Sequence, residues 1–325
     1  MNPGKLAAPF LSVITRTQGR RSSMLRDTLM SLAGQACQDF EIILVVHSRD
    51  EEAAVATRTL INEFPETMRQ RIRVITCERP GRSSPLNDAL RHADGQYFAM
   101  LDDDDLVLAQ WVEAFRQLAS AYPGSVVRAK CACQEVELSD AGDLGVHARA
   151  TSWFSTPWPS DYDPIAHLAA NFTPNMSVAF PMAVFRDHHL VFDETLETAE
   201  DWDLLLRAAM LCGVKSSPQI TAIYRWWTDG ESTQFSYSKK EWEFNASRVW
   251  AKLDAQAIML PAGSVSRIVC LQQRCSELEA RIRAIEDSRS WRVSAPLRAF
   301  GRLIRWLGSR GARRTPELVK KQSTP

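Results

Sequence analysis

Chemistry in this chain is most concentrated at Asp102–Asp105, in the stretch YFAMLDDDDLVLAQW (97–111). Four neighbouring carboxylates repel and raise one another's pKa unless positive charge sits among them. Such a run is either a solvated turn, where aspartate bonds to local backbone, or the holder of a hard divalent cation, which takes carboxylate oxygens. A second acidic group, Glu200–Asp201 with Asp203 close behind, opens ETAEDWDLLLRAAMLCG (197–213). Acids in a first helical turn suit the positive end of the helix dipole; a carboxylate within reach of a reacting hydroxyl is also a general base. Other ligand sets fail on spacing. Cys131 and Cys133 lack a matching Cys/His pair for zinc, and His188–His189 lack a third ligand. No glycine-rich phosphate loop of either common type is present.

These groups need a frame. FLSVIT (10–15) is short, apolar and β-branched, as a strand is. SSMLRDTLMSLAGQ (22–35) sets Met24, Leu25, Leu29 and Leu32 at helical spacing, with Ser22 able to cap. FEIILVVHS (40–48) is nearly continuous in apolar residues, the pattern of a strand buried on both faces. EEAAVATRTLINEF predicts a helix, RIRVITC (71–77) a strand, and SPLNDALRHADG (84–95) a helix stopping at Gly95. QYFAML (96–101) predicts a strand and AQWVEAFRQLASAY (109–122) a helix. This alternation calls for βαβ units and a mainly parallel sheet flanked by helices, an α/β fold. Ligands of such sheets bind beyond the carboxyl ends of the strands, and the aspartate run stands at one of those ends. Farther on, 125–139 predicts one or two strands and 151–164 an aromatic, proline-rich loop. Residues 176–185 predict a strand and a helix start, and 197–213 a helix ending at Gly213.

Composition is that of a globular protein: 45% hydrophobic and 24% charged over 325 residues, enough for one large domain plus an extension or for two domains. Net charge is zero, so the whole-chain field favours no polyanion. The first residues lack the apolar stretch of a signal peptide, and no segment approaches the roughly 20 apolar residues of a bilayer span. Seven scattered cysteines then suggest free thiols in a reducing compartment. Toward the end, Ile268, Leu271, Cys275, Leu278, Ile282 and Ile285 alternate at spacings of three and four, a short coiled-coil seam. A second copy could complete it as a homodimer, or it could fold back on the core. Beyond it, RSWRVSAPLRAFGRLIRWLGSRGARR carries eight arginines with Trp291, Val293, Leu297, Phe300, Leu303, Ile304, Trp306 and Leu307 interleaved and no acid. This is the composition of an amphipathic helix on an anionic membrane surface, its apolar face favouring membrane or a partner protein over nucleic acid.

Three segments in order carry a family resemblance: SLAGQACQDFEIILVV, NDALRHADGQYFAMLDDDD and ETAEDWDLLLRAA. Over roughly residues 10 to 230 the chain resembles a family 2 glycosyltransferase of the GT-A fold, of the type that assembles bacterial surface glycans. The resemblance implies a GT-A domain at 8–235, followed by a helical, coiled-coil extension at 236–287 and the basic amphipathic tail at 288–325. It implies a nucleotide-sugar donor, a glycan or lipid-linked acceptor and Mn²⁺ or Mg²⁺. By position, Asp104 holds the metal and Asp102 contacts ribose or the metal through water, with Asp103 and Asp105 as register alternatives. Asp201 falls on the base of a single inverting displacement, with Glu200 its neighbour and Asp203 the fallback. The implied donor contacts are Thr15, Arg16, His47, Arg82, Asn87, Asp102, Asp103 and Arg225.

The chain departs from that pattern in three places. His47 stands where many members carry an aspartate for the base. TRTQGRR replaces the usual end of the first strand. Tyr224 and Arg225 are followed by Trp226 and Trp227, where a histidine is usual, leaving the tryptophans to stack on a sugar. Two functions are therefore carried forward: a transferase at the cytoplasmic face of the membrane, and a catalytically inactive fold docking assembly machinery there. A nucleotidyltransferase would also use paired aspartates, but TRTQGRR is a poor phosphate-binding signature.

Overall fold

The computed structural model describes residues 8–140, 146–228, 236–294 and 296–298. Its first half alternates as the hydrophobic pattern requires: β1 (Leu11–Thr17), α1 (Ser22–Ala33), β2 (Phe40–Val46), α2 (Glu51–Asn62), α3 (Glu66–Arg69), β3 (Ile72–Thr76), α4 (Ser84–His92) and β4 (Tyr97–Met100). Then come β5 (Leu106–Val107), α5 (Trp111–Ala121), the long β6 (Val126–Asp140), β7 (Val146–Ala150), α6 (Pro164–Ala169) and a 3₁₀ turn at Asn175–Ser177. The series continues with β8 (Val178–Pro181), α7 (Ala183–Arg186), α8 (Glu200–Cys212) and β9 (Val214–Trp227).

The strands form one mixed sheet in the order β3-β2-β1-β4-β8-β6-β9-β5, with β7 on β6. Strands β1 to β4 are mutually parallel. Antiparallel pairs enter where β8 joins β4 and β6. Side chains alternate across a strand, and the core divides accordingly. Val13, Ile42 and Leu44 pack with Leu25 and Leu29 of α1 and Trp111 and Phe115 of α5. Ile14, Ile43 and Val45 pack on the other face with Leu86 and Leu90 of α4 and Leu204 and Leu205 of α8. Burying each such side chain contributes about 1.5–3 kcal/mol, which explains the near-continuous apolar run in β2.

Helix α4 ends at His92 rather than running to Gly95, because Ala93 is already extended, with ψ 129°. Gly95 does different work. Its N–H donates to Ser12 Oγ at 2.9 Å, and a Cβ there would lie 2.6 Å from the Ser12 backbone nitrogen. Only glycine lets β4 start this close to β1. Gly95→Ala is expected to lower stability by about 1–3 kcal/mol, the range for forced overpacking, read as a lower denaturation midpoint at unchanged m-value.

The chain divides into two units, Met1–Pro261 and Ala262–Pro325. The boundary falls after Pro261 rather than after residue 235, because helix α9 (Lys239–Asp254) is part of the core. Ser238 and Glu241 close a capping box at its start, and Val249 and Leu253 pack with Leu196, Trp202 and Leu206. The second unit holds α10 (Ser264–Asp287) and α11 (Arg289–Val293). The basic tract expected at 288–325 lies outside the described residues at 295 and from 299 onward. Among the described residues no helix is long and apolar enough to cross a membrane.

Candidate functional site

The chain turns from β1 outward to β2 and β3 on one side, and β4 lies on the other. A crevice outside the carboxyl ends of β1 and β4 is the expected ligand position at such a switch point. A cavity of about 960 Å³ opens there, lined by Arg16, His47, Arg82, Asp102–Asp105, Glu200, Asp201 and Arg225 among others.

The four aspartates differ in their partners, though Asp103 and Asp104 share Arg21. Asp102 accepts from Arg16 Nε at 3.2 Å and Asn175 Nδ2 at 3.0 Å. Asp103 accepts from Thr17 Oγ1 at 2.6 Å and Arg21 Nη2 at 3.1 Å. Asp104 accepts from Arg21 Nη1 at 3.0 Å and Trp227 Nε1 at 2.9 Å. Asp105, 1% exposed, accepts the Arg225 backbone N–H at 2.8 Å. Arg21 is thus an internal counter-ion between two of the carboxylates. Compensation is incomplete. Burial and then the Asp104 charge push Asp103 up to about 6, against Arg21 and Thr17. Burial raises Asp104 as well, and burial with the Asp104 and Asp102 charges raises Asp105 well above the carboxylate range. Only Asp102 is lowered: burial would raise it, but Arg16 and Arg82 outweigh that.

The second acidic pair enters from the start of α8. Ala199, just before it, has φ +64°, a left-handed conformation that costs a non-glycine residue energy and collects at functional sites. Glu200 is 3% exposed and held by Arg16 Nη1 at 3.2 Å and Arg82 Nε at 3.0 Å. Burial would raise its pKa, but Arg82 and Arg16 bring it below the usual value. Asp201 accepts from Asn171 Nδ2 at 3.0 Å. Burial, then the charge of Glu200, push it up to about 6. Adjacent carboxylates are thereby driven apart, one a locked anion and the other able to take a proton near neutrality. Asp203, the fallback base, is 2% exposed and committed to Arg207 and Lys252, so it does not face the cavity.

Two of the expected donor contacts do not reach the cavity. Thr15 is fully buried on β1, one pleat behind Thr17, and its Oγ1 has no hydrogen-bond partner among the described residues. Asn87 is a brace: its Nδ2 donates to Phe192 O and its Oδ1 accepts from Phe192 N. His47 lines the cavity, with Nε2 2.8 Å from Arg79 O. Arg225 donates from Nη2 to Asp27 at 2.9 Å, while its buried Nη1 has no partner among the described residues. Trp226 and Trp227 both line the cavity; Trp227 is otherwise buried and its Nε1 donates to Asp104. His188 and His189 are exposed, away from any of this.

Other participants were not picked out from sequence: Arg21, Asn171, Asn175, Trp158 and Trp242. Arg21 had a signal in TRTQGRR, whose arginines must answer the acidic run. The asparagines had none; they arrive through a buried frame centred on Arg128. That residue is 1% exposed. Its guanidinium donates to Thr173 Oγ1 at 2.9 Å, Ser160 O at 2.7 Å, Pro159 O at 2.8 Å and Phe172 O at 3.1 Å. Thr173 Oγ1 in turn meets His167 Nε2 at 2.9 Å, and His167 Nδ1 meets Asp163 O at 2.9 Å. Since the carbonyl can only accept, Nδ1 carries the proton and Nε2 accepts from Thr173, the neutral tautomer. Burial, which pushes His167 down to about 4, agrees with that. Trp202 Nε1 donates to His167 O at 2.7 Å, tying this frame to α8 directly beside Asp201.

The frame is that of the GT-A fold, with an acid run at the switch point and a carboxylate pair across one cavity from it. Residues 12–166 match the model of glycosyl transferase family 2. An uncharacterised glycosyltransferase of Methanocaldococcus jannaschii is 27% identical over 110 residues, 34% of this chain and 37% of the relative. TuaG of Bacillus subtilis, a putative teichuronic acid biosynthesis glycosyltransferase, is 34% identical over 98 residues, 30% of this chain and 36% of the relative. The matched segments thus span little more than a third of these relatives. The solved structure of S. aureus TarS in complex with UDP-GlcNAc shares the fold, with a TM-score of 0.57 at 18% identity over 78% of this chain and 68% of that one.

Proposed function

We propose that the chain is an inverting, metal-dependent glycosyltransferase that moves a sugar from a nucleoside-diphosphate donor to a glycan or lipid-linked acceptor in cell-surface polysaccharide synthesis. The observation that carries this reading is the pair Glu200–Asp201, split into a locked anion and a proton acceptor across one cavity from the acidic run. The acceptor hydroxyl gives its proton to Asp201 as its oxygen attacks the anomeric carbon. The bond from that carbon to the diphosphate oxygen breaks, and the electron pair leaves with the diphosphate. Glu200 is a positioning residue: it fixes Arg16 and Arg82 and holds up the pKa of Asp201. The open Nη1 of Arg225 is a donor suited to phosphate oxygen. The TarS complex makes a UDP-sugar the first donor to try.

The acid run suits Mg²⁺ or Mn²⁺. Asp102 and Asp104 keep side-chain exposures of 28% and 16%; burial first, and then the neighbouring carboxylates, raise Asp103, Asp104 and Asp105, an environment in which a cation would be stabilising. No group of three or more His, Cys, Asp or Glu side chains among the described residues makes a metal cage. One or two carboxylates completed by diphosphate oxygens is the usual magnesium arrangement. Asp104 and Asp102 would hold the ion, which supplies neutralising charge to the leaving diphosphate. The basic tract with Trp291, Arg289, Arg292 and Arg298 supports a peripheral place on the cytoplasmic membrane face, where lipid-linked acceptors lie.

The test is donor binding and slow hydrolysis across UDP-, GDP- and dTDP-sugars, with and without Mn²⁺, for wild type and Asp104→Ala. Metal-dependent binding of one donor, lost in the variant, is the expected result. A folded protein that binds none of them would overturn the proposal in favour of an inactive docking module.

A further inference from the structure

We infer that α10 pairs with α10 of a second copy as a parallel, in-register two-stranded coiled coil. The helix runs unbroken from Ser264 to Asp287. Ile268, Leu271, Leu278, Ile282 and Ile285 are 43–54% exposed, and Cys275 is exposed between them. With Ile268, Cys275 and Ile282 at a and Leu271, Leu278 and Ile285 at d, the seam is β-branched at two a positions and leucine at two d positions, the combination that favours two strands.

The flanking charges choose the partner and its direction. On this register the g positions are Arg267, Arg274 and Arg281, and the e positions are Gln272, Glu279 and Glu286. In a parallel pair each g residue faces the e residue five places on in the other helix. Arg274 then meets Glu279 of the second copy and Arg281 meets Glu286, and symmetry repeats both contacts. An antiparallel pair would set arginine against arginine along one edge and glutamate against glutamate along the other. In the single chain Arg274 Nη1 lies 3.2 Å from Glu277 Oε2, an exposed i,i+3 pair of little worth, so it is free to exchange. The same geometry sets Cys275 against its own copy across the seam, while Cys270, at c, faces outward.

The full chain should show a mass rising from 36.6 kDa toward twice that as concentration increases in sedimentation or light scattering. Arg274→Glu/Arg281→Glu should be monomeric at the same concentrations, and so should Glu279→Arg/Glu286→Arg. An equimolar mixture of the two should recover the dimer, since every g–e contact is then of opposite sign. Circular dichroism confirms that each variant keeps its helix. Mild oxidation should cross-link Cys270→Ser as a dimer and leave Cys275→Ser uncross-linked. A wild-type chain that stays monomeric, dimers indifferent to the charge reversals, or a cross-link through Cys270 would each overturn the pairing.

Discussion

Asp201→Asn is expected to lower kcat by about 10²–10⁴-fold, the usual worth of a positioned general base, while donor affinity stays nearly unchanged. The amide keeps the shape and the Asn171 side of the site but cannot take a proton. The pH profile carries a second signature. Asp201 works as its carboxylate, and burial and Glu200 push that group up to about 6. The rate should therefore be level above about pH 7 and fall as pH drops through 6. Glu200→Gln removes the neighbouring anion, so the acid limb should move to lower pH. A profile for Glu200→Gln that keeps its midpoint, or an Asp201→Asn enzyme with ordinary turnover, would remove Asp201 from the role. Steady-state rates with saturating donor between pH 5 and 8 decide it.

Arg128→Met is expected to lower stability by about 4 kcal/mol or more, at about 1 kcal/mol or more for each buried acceptor left unsatisfied. Among the described residues the guanidinium has no carboxylate partner, and it is solvated by three carbonyls and a hydroxyl. Methionine fills similar space but strands those acceptors, at about 1–3 kcal/mol for each left unsatisfied. A loss of that size lowers Tm by on the order of 10 °C in a domain this large. Turnover should fall as well, because Asn171 and Asn175 hang on the segments that Arg128 ties together. A variant that melts like the wild type in thermal unfolding would show that water replaces the guanidinium.

The parallel half of the sheet was legible because β1, β2 and β4 are buried on two faces and each helix on one, which writes period and burial directly into the chain. Strands β6, β8 and β9 carry weaker patterns, and the antiparallel pairing of β8 depends on partners remote in sequence. The acid run and Glu200–Asp201 were legible as charges that need an answer. Their answers were only half readable. Arg16 and Arg225 stand beside recognisable motifs, but Arg21 sits where the family pattern is broken. Thr15 and Asn87 were misplaced by position alone, since whether a motif residue faces the ligand or braces the fold depends on one pleat or one helical turn. The boundary after residue 235 followed a change of composition. The edge the structure shows follows from Val249 and Leu253, two buried side chains on a helix that otherwise leaves charged residues, Phe244 and Trp250 exposed.

The contacts that assemble this cavity join residues remote along the chain: Arg16 to Glu200 spans 184 positions and Trp227 to Asp104 spans 123. At about 5–20 residues per second of synthesis, the first arginine waits on the order of 10–40 s for its glutamate. Throughout that interval the growing chain holds half a site and no base, and the loop-closure entropy of these contacts is met last. On the proposed function, a polypeptide released before α8 has emerged should be inert toward any acceptor. The cavity is complete only when β9, which brings Arg225 and Trp227 to the acid run, has followed α8.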